Sequence, residues 1–127
     1  MEEKQKFSFK SRLYSFKYAI SGLKYFVRND HNGRIHLCAT ILAVALSYYL
    51  NISKLEWIAI MGVITSVIVT EIINASIEKL SDVVSPEYHP VIKIVKDLAA
   101  GAVLVSAAFA VVVGVIIFIP KLSGIIG

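Results

Sequence analysis

Residues 98–119 include no charged side chain, and none lies between Glu56 and Glu71. These apolar runs constrain the fold more than any other feature. A bilayer core is about 30 Å thick and takes about 20 helical residues to cross. Backbone in hydrocarbon must also satisfy its hydrogen bonds within its own helix. The chain has 127 residues, of which 57% are hydrophobic and 17% charged, whereas a soluble domain carries about 25% charged residues. The expected fold class is all-α integral membrane, with an N-terminal amphipathic interfacial helix and three transmembrane helices. A single domain over 1–127 is expected.

Residues 1–34 are basic and amphipathic without a continuous apolar core, so no cleavable signal peptide is expected. Residues 1–8 read as polar and frayed. Phe9, Leu13, Phe16, Ile20, Leu23 and Val27 alternate by fours and threes, one face of a helix. Lys10, Arg12, Lys17, Lys24 and Arg28 occupy its other sides, a pattern suited to the interface of an anionic membrane. Residues 29–33 read as a turn. The first span is expected over 35–52, with Tyr48 and Tyr49 at the interface. The second is expected over 55–83, its last third polar and extending into the cytoplasm. A cytoplasmic connection over 84–97 contains Pro86 and Pro90, the latter suited to the first helical position. The third span is expected over 98–119, ended by Pro120 and Lys121. Ala102, Ser106, Ala110 and Gly114 recur every fourth residue, a stripe that lets membrane helices approach closely.

Of 13 Lys and Arg residues, eight precede the first span: Lys4, Lys6, Lys10, Arg12, Lys17, Lys24, Arg28 and Arg34. The first connection has only Lys54, whereas the second has Lys79, Lys93 and Lys96. The positive-inside rule then places the N-terminus and the second connection in the cytoplasm. The lone Cys38 forms no intramolecular disulfide, and no Cys/His zinc spacing exists.

This topology gathers the polar chemistry on one membrane face. Glu71, Asn74, Glu78 and Asp82 share one helical stripe. From Trp57, Glu71 lies about 21 Å along the helix, near the inner boundary of the core. A carboxylate there is costly unless paired, hydrated or bound. Asp30 and Arg34 precede the first span, and Glu87, His89, Lys93, Lys96 and Asp97 follow the second. Such an arrangement suits a reaction between a lipid headgroup and a soluble reagent. Lys96 beside a helix N-terminus suits a phosphate. No Gly-x-x-x-x-Gly-Lys-Ser/Thr loop or Gly-x-Gly-x-x-Gly is present, which excludes the usual P-loop and protein-kinase nucleotide sites. Packing of the stripe against another helix is the bland alternative. A proton-coupled exporter is an alternative of another class, but it would hold its glutamate deep in the bundle and leave 87–97 unexplained. A non-catalytic membrane assembly factor is a third. His31 and His36 read as turn and interface residues rather than ligands, and Trp57 as an interface anchor.

Asn29-Asp30 with Arg34, the block Glu71-Ile72-Ile73-Asn74-Ala75-Ser76-Ile77-Glu78, Asp82, Glu87-Tyr88-His89, and Lys96-Asp97 followed by Ala-Ala-Gly-Ala-Val-Leu resemble the small bacterial membrane lipid kinases of the diacylglycerol kinase and undecaprenol kinase family. The similarity runs in order over about 16–118. It implies a homotrimer in the bacterial inner membrane, with sites at subunit boundaries on the cytoplasmic face. It implies ATP and Mg²⁺, a lipid acceptor with a primary hydroxyl (diacylglycerol or undecaprenol), and no nucleic acid. Glu71 matches the general base and Asn74 a polar catalytic position beside it. Glu78 and Asp30 match metal-binding positions, Asp30 standing where the family usually has glutamate. Glu87, His89, Lys96 and Asp97 match nucleotide contacts. Arg12 and Tyr18 fall near further nucleotide contacts, Arg12 displaced by one residue. Arg34, with Glu71, is assigned to the lipid substrate. Arg34-Ile35-His36 and Ser85-Pro86-Glu87 look closer to the undecaprenol branch.

Overall fold

The structure, a computed structural model, describes residues 8–126. The expectation of a frayed segment at 1–8 falls outside them except at Ser8. The described residues fold as four helices: α1 (Phe9–Asn29), α2 (His31–Tyr49), α3 (Lys54–Val84) and α4 (Pro90–Ile126). α3 and α4 share the most extensive packing, α2 lies against α3, and α1 touches α2 near its end. Two of them, α3 and α4, are long and apolar enough to cross a membrane. α2 begins with a polar turn, His31-Asn32-Gly33-Arg34, which dilutes its apolar content.

The start of α1 is set by Ser8, whose hydroxyl accepts from the Ser11 N–H at 3.0 Å. Leu13, Phe16, Ile20 and Leu23 are exposed along its apolar face. The expected turn over 29–33 shrinks to one residue. Asp30, in extended backbone, ends α1 and begins α2. Residues 31–33 are already helical, the Arg34 N–H closing the first turn on the Asp30 carbonyl at 3.1 Å, and this puts Gly33 on the packing surface. The buried ring of Phe26 lies on it, and an added Cβ would stand 2.7 Å from Phe26 Cε2. That contact sets how α1 meets α2.

The inner face of α2 is small and polar, with Gly33, His36, Thr40 and Ser47 buried or half-buried. Thr40 and Ser47 donate back to the His36 and Ala43 carbonyls at 2.8 and 2.7 Å, so their hydroxyls are satisfied within the helix. α2 ends in a Schellman motif. The N–H of Asn51 reaches the Tyr48 carbonyl and that of Ile52 the Ser47 carbonyl, while Asn51 takes φ 53°, a left-handed conformation that asparagine tolerates. α3 then starts on a capping box: the Glu56 N–H donates to Ser53 Oγ at 3.2 Å, and the Ser53 N–H to Glu56 Oε1 at 3.0 Å.

The apolar core lies at this end of the bundle. Leu50, Ile52, Ile60 and Ile117 form it, with Trp57, Phe118 and Leu122 packed against them. Trp57 thus serves the core, while Tyr48 and Tyr49 are exposed. The expected stop at Pro120 does not occur, and α4 continues to Ile126 with Pro120 inside it. Proline removes one helical hydrogen bond. Tertiary contacts carry the helix past it: Leu122 joins the core and Lys121 Nζ lies 3.3 Å from Glu56 Oε1. In the small-residue stripe, Ser106 meets Ser66 of α3, hydroxyl to hydroxyl, at 3.3 Å.

Candidate active site at the α1–α2 junction

The buried row on α3 runs Ile60, Val63, Val67, Glu71, Asn74 and Ser81. It is apolar through Val67 and turns polar at Glu71, about 16 Å along the helix from Ile60. Glu71 is only 2% exposed. It faces the carboxyl of Asp30, from the α1–α2 junction, and that of Glu78, two turns on along its own helix. From α2, His36 Nε2 stands 3.7 Å from Glu71 Oε2. The sequence reading placed His36 at the membrane interface. The structure turns it inward instead, because it is three residues from Gly33 and shares the face that packs on α3.

Two buried oxygens in this cluster lack a hydrogen-bond partner, Asp30 Oδ2 and Asn74 Oδ1. An orphaned buried polar atom costs about 1–3 kcal/mol, so a water or a ligand group is needed to complete each. Asp30 could have spent its carboxylate as the N-cap of α2, but it makes no side-chain capping bond. Among the described residues no set of three or more His, Cys, Asp or Glu side chains is arranged to enclose a metal. Magnesium does not need one, since it keeps most of its waters and takes one or two carboxylates beside substrate phosphates. Asp30, with its free oxygen, and Glu78 fit that requirement.

Two grooves open beside this cluster. The larger, about 670 Å³, lies between α1 and α3. Its walls include Gly22, Leu23 and Phe26, and Asp30, Glu78 and Asp82 supply its acidic groups. Lys79, also on its wall, holds its ammonium 5.3 Å from the centre of the Tyr25 ring, linking α3 to α1. The smaller, about 350 Å³, is lined by Asp82, Glu87, His89, Lys93, Lys96 and Asp97 together with Tyr88 and the 85–86 turn. Asp82 borders both grooves. His89 precedes α4, and its Nδ1 accepts from the Val91 N–H at 3.2 Å. The ring is thereby pinned with Nε2 carrying the proton. Lys96 Nζ lies 3.3 Å from Asp82 Oδ1, and Lys93 pairs with Asp97. Both pairs are exposed, so each is held by at most about 1 kcal/mol and opens readily to a competing anion.

Of the residues singled out in the sequence, Asp30, Glu71, Asn74 and Glu78 come together, and Glu87, His89, Lys96 and Asp97 line the adjacent groove. Arg12, Tyr18 and Arg34 line neither groove. Tyr18 stacks on Tyr14 along α1, with ring centres 6.4 Å apart. His36 and the Phe26–Gly33 contact were missed. An inward spacing of Gly33, His36, Thr40 and Ser47 was the available signal, and it was masked by the apolar residues between them.

The sequence profile of the family described as prokaryotic diacylglycerol kinase matches residues 17–118. The undecaprenol kinase of Bacillus subtilis (strain 168) is 33% identical over 108 residues, covering 85% of this chain and 88% of that protein. A diacylglycerol kinase of Synechocystis is 34% identical over 112 residues, covering 87% of this chain and 63% of the relative. One from Helicobacter pylori (strain J99) is 33% identical over 102 residues, covering 80% and 79%.

Proposed function

This chain belongs to the prokaryotic diacylglycerol kinase family and is a membrane lipid kinase, and from that premise we propose that it transfers the γ-phosphoryl group of ATP to the primary hydroxyl of diacylglycerol or undecaprenol, with Glu71 as the general base. The observation that carries the reading is the position of Glu71. It is a buried carboxylate where the apolar row of α3 ends and a polar, groove-lined layer begins. A lipid hydroxyl arriving from the membrane meets it there.

Glu71 accepts the hydroxyl proton as the oxygen attacks phosphorus. Asn74, with its unpartnered carbonyl oxygen, orients the acceptor or a water beside it. The smaller groove takes the nucleotide. Lys96 exchanges Asp82 for phosphate oxygens, the α4 N-terminus adds its dipole, and His89 donates through Nε2. Glu87 and Asp97 border the same groove. Asp30 and Glu78 would hold Mg²⁺, which would neutralise phosphate charge.

Arg12, Tyr18 and Arg34 line neither groove of their own chain. In a homotrimer with shared sites they reach a neighbour's groove. The exposed apolar surface of α4, including Leu104, Val105, Phe109 and Ile116, supports burial in lipid and against other subunits. Three spans, with the N-terminus in the cytoplasm of the inner membrane, complete the arrangement. Family membership gives no support to the exporter alternative. The test is transfer of labelled γ-phosphate from ATP to each lipid in the same mixed micelles. Label in neither lipid rejects the reading, and the preferred lipid identifies the acceptor.

A further inference from the structure

The histidine beside the proposed base has no part in the scheme above. Glu71 is crowded by negative groups, Asp30 from the α1–α2 junction and Glu78 from its own helix. The group set against it on the α2 side is the His36 imidazole, with Nε2 3.7 Å from Oε2. The glutamate side chain is 3% exposed and the histidine side chain 25%, so the ring covers Glu71 while its other edge reaches the surface. The backbone under His36 is held, since its carbonyl accepts from the Thr40 hydroxyl at 2.8 Å. One turn earlier, Gly33 is locked under Phe26. The ring is thus carried on a rigid stretch of α2, as a group that orients another must be.

We infer that His36 is the positioning residue for Glu71. With the proton on Nε2, the imidazole holds Oε2 and leaves Oε1 to the acceptor hydroxyl. At 3.7 Å the contact is electrostatic and longer than a formed hydrogen bond. Contacts of this kind tighten when substrates bind. In the reaction the hydroxyl proton passes to Oε1, the acceptor oxygen bonds to the γ-phosphorus, and the bond from that phosphorus to the departing ADP oxygen breaks. His36 touches none of the reacting atoms. This inference rests on the reading of Glu71 as the base.

The test compares His36→Leu, His36→Gln, Glu71→Gln and the double variant His36→Leu/Glu71→Gln in mixed micelles. kcat and KM are measured separately for ATP and for lipid, and folding is checked by circular dichroism and gel filtration. Misplacing a catalytic group by about 1 Å costs up to about 100-fold in rate. His36→Leu should lower kcat about 10- to 100-fold with both KM values within about twofold. His36→Gln, which keeps a donor of similar reach, should recover most of the rate. Adding His36→Leu to Glu71→Gln should cost nothing further, because the group being positioned is gone. If His36→Leu fails to fold, His36→Asn, whose donor is too short to reach, is read in its place with the same expectation. A kcat within about twofold of wild type, a loss that persists undiminished in the Glu71→Gln background, or a change confined to the lipid KM would each overturn the inference. A Glu71→Gln enzyme of normal turnover overturns the base assignment and the inference with it. Collapse of Glu71→Gln beside an intact His36→Leu overturns the positioning role alone.

Discussion

Phe26 and Gly33 are interlocked: the buried phenyl ring of α1 occupies the space that a side chain at residue 33 of α2 would fill. Asp30 lies between them in sequence, as the single non-helical residue joining the two helices. The direction of its carboxylate is therefore set by how closely α1 can approach α2.

Replacing Gly33 by alanine tests this dependence. The new Cβ meets ring atoms at 2.7 and 2.9 Å, and the ring is too buried to swing freely. Overpacking of this kind costs about 1–3 kcal/mol. Thermal unfolding in detergent should show Gly33→Ala destabilised, with activity lowered because Asp30 is displaced. A compensating Phe26→Leu should restore part of both. Wild-type stability and rate in Gly33→Ala alone would contradict the contact.

Glu71→Gln retains size and hydrogen bonding but not basicity. Turnover should drop at least about 100-fold, the lower range of general-base contributions, while ATP binding measured by equilibrium titration stays near wild type. Turnover within threefold of wild type would reject Glu71 as the base.

Asp30 is where the metal assignment is most exposed to test. Its Oδ2 is buried without a partner and its side chain does not cap α2. Asp30→Asn should weaken the magnesium and ATP dependences together, since the metal arrives with the nucleotide. Asp30→Glu keeps the charge and should retain substantial activity. Initial rates across a magnesium series decide the matter, and an unchanged profile for Asp30→Asn removes Asp30 from the metal site.

Shared sites predict complementation between inactive chains. Glu71→Gln and Lys96→Ala subunits, each inactive alone, should recover part of the activity when co-assembled. No recovery in verified mixed trimers would place each site within one chain.

Ser53 supplies a control remote from the chemistry. It caps α3 about 27 Å along the helix from Glu71. Ser53→Ala removes its side of the capping box and should cost about 0.5–2 kcal/mol in stability. The rate of the folded enzyme should be unaltered, as read by unfolding and activity on the same preparation.

The sequence alone was enough to foresee an all-helical chain, though not where α2 begins or α4 ends, because charge-free runs and the three-four spacing of apolar residues are local properties of a chain. Glu71 and Asn74 were legible for the same reason: they continue the buried row of α3, and a carboxylate closing an apolar row stands out without any partner in view. The family was legible from its ordered motifs. What periodicity cannot report is which groups from different helices meet. That His36 turns toward Glu71, that Asp30 faces the same carboxylate with one oxygen unpaired, and that Asp82 borders both grooves depend on how α1, α2 and α3 are packed. The continuation of α4 beyond Pro120 belongs with these. A proline stops an isolated helix, and only contacts from Leu122 and Lys121 to the far end of the bundle offset the hydrogen bond it removes.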